Sequence, residues 1–257
     1  MRKLIRSALQ ERGGGRVARI VIDNPAKMNA LSAGAILELT AALRALHGDP
    51  KLRAVVLTGA GAKAFSGGVD LAQLGAITKS TARAAIQRLH RCIRAVRECP
   101  VPVIARVNGY CIGGALELAA ACDLRIAADH ARFGMPEVRL GIPSVIEAAL
   151  LPRLMGAGRA RWLLLTGELI DAAEALRWGL VERVVDAGML DAEVDQALDA
   201  ILAGGDAAIR AQKRLNRAYE ELPFTKAVAL SIDAFARAYQ GGEPQRRMAD
   251  YLRRKRK

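Results

Sequence analysis

Aromatic side chains are scarce: two Trp, four Tyr and four Phe make up 4% of 257 residues, while 52% of the chain is apolar. A core must therefore be assembled from Ala, Leu, Val and Ile, and stacking platforms for single-stranded nucleic acid are few. Four cysteines (Cys92, Cys99, Cys111, Cys122) show no C-x-x-C spacing and mostly sit in apolar, helix-like runs. That pattern argues against a disulfide scaffold and points to a reduced, cytoplasmic chain. The three histidines, His47, His90 and His130, lack metal-ligand spacing, so each reads as structural or surface, with no metal or redox cofactor implied. No apolar run reaches the roughly 18–20 residues of a membrane span. The first residues lack the apolar core of a secretion signal, so none is expected.

Acidic residues are too few to balance the basic ones. Lys and Arg number 39 against 26 Asp and Glu, giving a net charge of +13. Much of the excess lies at Arg83, Arg88, Arg91, Arg94 and Arg97, and in the tail Arg253-Arg254-Lys255-Arg256-Lys257. Solvated helix faces and a basic terminus account for most of it, although nucleic acid or a phosphorylated small molecule also fits such charge. Lys213, in the later helices, reads as a surface charge.

Along the chain, polar residues 1–15 end in Gly13-Gly14-Gly15, a turn feeding a strand at 17–22. Ser32 is placed to cap a helix running to about residue 47. Buried-type strands are expected at 54–58, 103–107, 124–128 and 181–185, with a helix at about 80–99 stopped by Pro100 and Pro102. Strand–strand–helix units recur without a tandem sequence repeat. Beyond about 200 the pattern turns purely helical, giving two regions, 1–200 and 201–257.

The chemistry concentrates at 108–137. Asn108-Gly109-Tyr110-Cys111-Ile112-Gly113-Gly114-Ala115-Leu116-Glu117-Leu118 places a glycine pair before a helix start and a carboxylate within its first turn. Glycines let the backbone turn sharply and let a ligand approach its N–H groups, which at a helix N-terminus favour a negative oxygen. A second carboxylate, Glu137, follows Pro136 after Phe133-Gly134-Met135. Another glycine pair lies in Lys63-Ala64-Phe65-Ser66-Gly67-Gly68-Val69-Asp70-Leu71, also before a helix. Either pair alone could be only a tight turn. Together they can aim two backbone N–H groups at one oxygen, as an oxyanion hole does.

These motifs, with Asp23-Asn24-Pro25, Lys27-Met28-Asn29-Ala30-Leu31, the segment up to Gly141, and Leu165-Thr166-Gly167, resemble the crotonase superfamily, the enoyl-CoA hydratase/isomerase family, over nearly the whole length. The resemblance implies an α/β fold: a spiral of ββα turns carrying the active site, and a C-terminal helical region that builds homotrimers, often paired into hexamers. It implies acyl-CoA thioester substrates, with coenzyme A part of the substrate and no separate cofactor. By the same resemblance the N–H groups of Val69 and Gly114 hold the thioester oxygen, and Glu117 and Glu137 match the two hydratase glutamates. Glu117 would take a proton from water as oxygen adds to C3, and Glu137 would supply the proton to C2 in a syn addition. Substrate and CoA contacts are implied at Lys27, Met28, Ala30, Lys63, Ala64 and Phe65, then at Gly67, Gly68, Asp70 and Leu71. Gly113, Pro136 and Gly141 are implied too, with Tyr251 and Arg254 from a neighbouring subunit. Rival readings are isomerisation, hydration–cleavage of a branched or aromatic acyl chain, or an RNA-binding relative using the Arg83–Arg97 helix and basic tail. The sequence departs from the family where Ile142-Pro143-Ser144-Val145-Ile146-Glu147-Ala148 replaces a glycine run. The bulk there puts a straight-chain acyl group in doubt. Glu147 reads as a surface turn residue, with a third pocket carboxylate as the alternative.

Overall fold

A computed structural model describes residues 3–255; Arg256 and Lys257 of the basic tail lie outside the described residues. The chain opens with an antiparallel hairpin, β1 (Ile5–Arg12) and β2 (Gly15–Ile22), closed by Gly13 and Gly14, both at positive φ. Two such residues suit a two-residue hairpin loop. Next come α1 (Ala33–Ala45), β3 (Leu52–Gly59), β4 (Ala64–Ser66), α2 (Leu71–Gly75) and α3 (Ala82–Arg97). Then follow β5 (Val103–Val107), β6 (Tyr110–Ile112), α4 (Gly114–Ala120), β7 (Leu124–Ala128) and β8 (Arg132–Gly134). The rest comprises α5 (Leu151–Met155), α6 (Ala157–Thr166), β9 (Leu169–Asp171), α7 (Ala172–Trp178), β10 (Arg183–Val185) and α8 (Leu190–Ala203). Three helices close the chain: α9 (Asp206–Glu221), α10 (Phe224–Ala238) and α11 (Glu243–Lys255). Among the described residues no helix is long and apolar enough to cross a membrane.

Two sheets run side by side through the turns. One has the order β1-β2-β3-β5-β7-β10, the other β4-β6-β8-β9. β3, β5 and β7 pair in parallel in the first, and β4, β6 and β8 in parallel in the second. After the opening hairpin, whose strands both join the first sheet, the pairs β3/β4, β5/β6 and β7/β8 each lay one strand in each sheet, which is the expected ββα spiral. The inner strands of the first sheet, β3 and β5 above all, are buried on both faces and so read as continuous apolar runs. Val55 and Leu57 of β3 join the main core with Leu39, Ile93 and Leu116 of the helices. Ala54 and Val56 face the opposite side, where Leu190, Val194, Leu198 and Leu202 line one stripe of α8.

Ser32 caps α1 as expected, its side chain accepting the Ala35 N–H at 3.2 Å. The expected strands and the helix before Pro100 are present. The hairpin partner β1 was not expected, because it is an edge strand exposed along most of its length and carries no apolar alternation. Lys213 is a correction. It is 7% exposed, not a surface charge, and its Nζ reaches Asp123 Oδ2 at 2.6 Å and the Val101 carbonyl at 2.9 Å. This ties α9 to the start of β5, whose Val103 N–H donates to the same Asp123 oxygen at 2.7 Å.

Candidate active site

The first glycine turn is strapped to the segment after β2. Gly67 N–H donates to the Met28 carbonyl at 2.7 Å, and Leu31 N–H to the Gly68 carbonyl at 2.8 Å. Asp70 then caps α2 through the Gln73 N–H at 3.1 Å, leaving Val69 at the bend. Two buried asparagines hold the chain leading there. Asn29, at φ 56°, donates to the carbonyls of Ala60 (3.0 Å) and Ala64 (2.7 Å). Asn108 donates to Gly61 (2.6 Å) and again to Ala64 (3.0 Å). Asparagine tolerates this left-handed backbone better than most residues and brings both donor and acceptor.

The second turn lies against the first. Gly113 sits at φ 57° and ψ −128°, its N–H donating to the Gly134 carbonyl at 2.8 Å. A Cβ on Gly113 would stand 2.4 Å from Glu137 Oε1, and one on Gly68 would stand 2.6 Å from the Ile112 carbonyl oxygen. A Cβ on Gly114 would lie 3.3 Å from Val69 Cγ2, so the two turns touch. Among the described residues, the N–H groups of Val69 and Gly114 have no hydrogen-bond acceptor in the chain. Both residues line a cavity of about 610 Å³.

Glu117 and Glu137 border that cavity as well. Glu117 is 3% exposed, and its Oε1 accepts the Ala148 N–H at 3.0 Å. Burial pushes its carboxyl up to about 8; the Ala148 N–H opposes this, while Glu137 and Glu147 add to it. Glu137 accepts the Ser144 hydroxyl at 3.1 Å, and burial raises its carboxyl too. Near neutral pH such a pair favours holding a single proton.

Of the other expected contacts, Gly67, Gly68, Leu71, Gly113 and Pro136 line the cavity. Lys27, Met28, Ala30, Lys63 and Asp70 do not, and Lys27 instead approaches Asp70 at 3.4 Å. Ala64 and Phe65 are buried in the core, and Gly141 at φ 76° ends the Pro136–Leu140 turn. Tyr251 and Arg254 lie apart on α11 in a separate cleft of that helix. The remaining walls are mostly apolar and include Leu74, Ile77, Ile86, Ile142 and Val145, with Arg83 and Arg88 of α3 among them.

A family model described as enoyl-CoA hydratase/isomerase matches residues 12–257. The chain belongs to this family. Within the enoyl-CoA hydratase/isomerase family it is similar to the crotonyl-CoA hydratase of Syntrophomonas wolfei, 37% identical over 244 residues and covering 93% of each chain. The (E)-benzylidenesuccinyl-CoA hydratase of Thauera aromatica is 35% identical over 216 residues, with 84% of each chain covered. The crystal structure of an enoyl-CoA hydratase from Mycobacterium smegmatis superposes with a TM-score of 0.93 at 30% identity, covering 98% of this chain and 97% of that one.

One expectation for this family member fails. Glu147 is not a surface turn residue: it is 8% exposed and lies behind the cavity wall, with Oε1 at 2.7 Å from His90 Nδ1. Sequence reading also missed Ser144 and the Ala148 amide as partners of the two glutamates. Their only signal was position, since both sit where the chain departs from its family's glycine run.

Proposed function

We propose that the protein is an enoyl-CoA hydratase adding water syn across the 2,3 double bond of an acyl-CoA thioester. The observation carrying this is the pairing of Glu117 and Glu137 at one cavity beside two glycine turns whose Val69 and Gly114 amides have no acceptor among the described residues. Those amides would hold the thioester oxygen as it gains negative charge, a donor pair worth about 100–1,000-fold in rate per amide. The ionised member of the Glu117–Glu137 pair takes a proton from water as the water oxygen bonds to C3. The C2–C3 π pair shifts toward the carbonyl, and the resulting enolate returns it to C2 as a bond to the proton given by the other, protonated member. The pair begins and ends with one proton between them, so hydration and dehydration share one site.

The test is hydration of a panel of 2-enoyl-CoA thioesters, read by loss of the conjugated enoyl absorbance. Glu117→Gln and Glu137→Gln should each lower kcat at least about 100-fold. Full turnover in either variant overturns the assignment. Ile142 and Val145 bulk out the cavity wall, so the panel should run from butenoyl to branched and aromatic chains. A 3-enoyl product would mean isomerisation, and release of a shorter fragment would mean cleavage. Against an RNA-binding role, Arg94 pairs with Glu98, Arg97 with Glu220 and Glu221, and Arg83 and Arg88 face the cavity.

The assembly we infer is a homotrimer, alone or paired into a hexamer, built on the helical region after residue 200. Its support is apolar surface on α10, where Phe224 is 85%, Phe235 68% and Ile232 65% exposed. Light scattering on the purified protein checks the mass, and a monomer at micromolar concentration would refute it.

A further inference from the structure

Behind the cavity wall, the turn Ile146–Leu150 carries three features that the hydration chemistry leaves unused. Ile146 lies at φ 44°, a left-handed conformation that a β-branched residue rarely adopts. Glu147 next to it is buried. One of its oxygens meets His90 of α3 at 2.7 Å, and the other is sequestered with no hydrogen-bond partner among the described residues. Ala148 follows, and its N–H is the donor that holds Glu117. A half-satisfied buried carboxyl costs stability, as does a strained backbone. Both costs fall on the one turn that touches the deeper glutamate from behind.

We propose that Glu147, held by His90, is a positioning residue for Glu117. Its bond to α3 anchors the turn whose amide fixes the Glu117 carboxyl, and its charge acts on that carboxyl through the turn. The inference rests on the hydration reading, in which the Glu117–Glu137 pair must keep one proton. The charged groups around the turn come from every element packed on it. α3 brings His90 and Arg97, which both favour the ionised form of Glu147. α4 brings Glu117, with Glu137 beyond it from the Pro136–Leu140 turn. α5 offers only Arg153, which is exposed and bound to the Glu220 carbonyl. The acidic side of the turn is therefore Glu147 acting on Glu117, with Glu137 opposite.

The experiment titrates Glu117 by carbon-13 NMR in full-length, ligand-free protein labelled at glutamate carboxyls, with the resonance assigned through Glu117→Gln. Wild type is compared with Glu147→Gln, which keeps shape and an acceptor for His90, and with Glu147→Met, which keeps only volume. Both variants should move the Glu117 titration to lower pH by about one unit. The alkaline limb of kcat/KM should move with it. Glu147→Met should in addition lose about tenfold in kcat at constant KM, because the tether to α3 is gone. Two results overturn the proposal: a Glu117 titration identical in all three proteins, or lower kcat with that titration unmoved, which would leave Glu147 a packing residue. A wild type inactive on every 2-enoyl-CoA would instead end the hydration reading, while the NMR comparison still judges Glu147.

Discussion

Replacing Glu117 by Gln should make the folded protein far less sensitive to alkali. Glu117 is 3% exposed, and its carboxyl is pushed from an ordinary 4.5 to about 8. Between those values the folded chain keeps a proton that the unfolded chain has released. The stabilisation is therefore complete below about 4.5 and is lost as pH rises through about 8. At about 1.4 kcal/mol per pH unit, that window spans roughly 5 kcal/mol. Urea unfolding of wild type and Glu117→Gln at pH 5 and pH 9, at one protein concentration, isolates the effect. Glu137 and Glu147 are also raised by burial, but both proteins retain them, so their slopes largely cancel. Between pH 5 and pH 9, which misses the lower end of that window, wild type should lose roughly 4 kcal/mol more than the variant. A difference under about 1 kcal/mol, comparable with the error of such extrapolations, would refute the picture of a proton held by burial.

Three further outcomes follow from the geometry. Gly113→Ala puts a methyl 2.4 Å from the present position of Glu137 Oε1 and strains a backbone at φ 57°, so kcat should fall about 100-fold with the fold retained by circular dichroism. The pH profile of kcat/KM should be bell-shaped, with an alkaline limb near about 8 where the last shared proton leaves; a plateau through pH 10 would contradict it. Lys213→Met leaves Asp123 as an unpaired, mostly buried carboxylate and should cost about 3–5 kcal/mol in chemical unfolding. Adding Asp123→Asn should recover part of that loss.

Much of the fold was legible because its signals are local. The Ser32 cap, the two-sided apolar strands and the glycine pairs each declare themselves within a few residues. The site motifs were legible for the same reason: a helix start with Glu117 one turn in is a contiguous pattern. What sequence could not show was contact between distant elements. Glu147 looks like any acidic turn residue until α3 brings His90 and covers it. Lys213 sits on a strongly amphipathic, basic helix and reads as surface until the carbonyls of Val96 and Val101 and the Asp123 carboxylate surround it. β1 shows the reverse case, since an edge strand held mainly by backbone pairing, with Ile5 alone of its side chains in the core, needs no apolar signature.

The grip of Lys213 makes the terminal helices difficult to treat as interchangeable parts. Graft them from a cousin lacking a cation at this position, and the mostly buried acid beneath would lose its counter-ion and keep only the Val103 N–H. The strand that delivers Asn108 to its loop would then start from a loosened footing. A chimera-maker should transplant the lysine and its acid together, or neither.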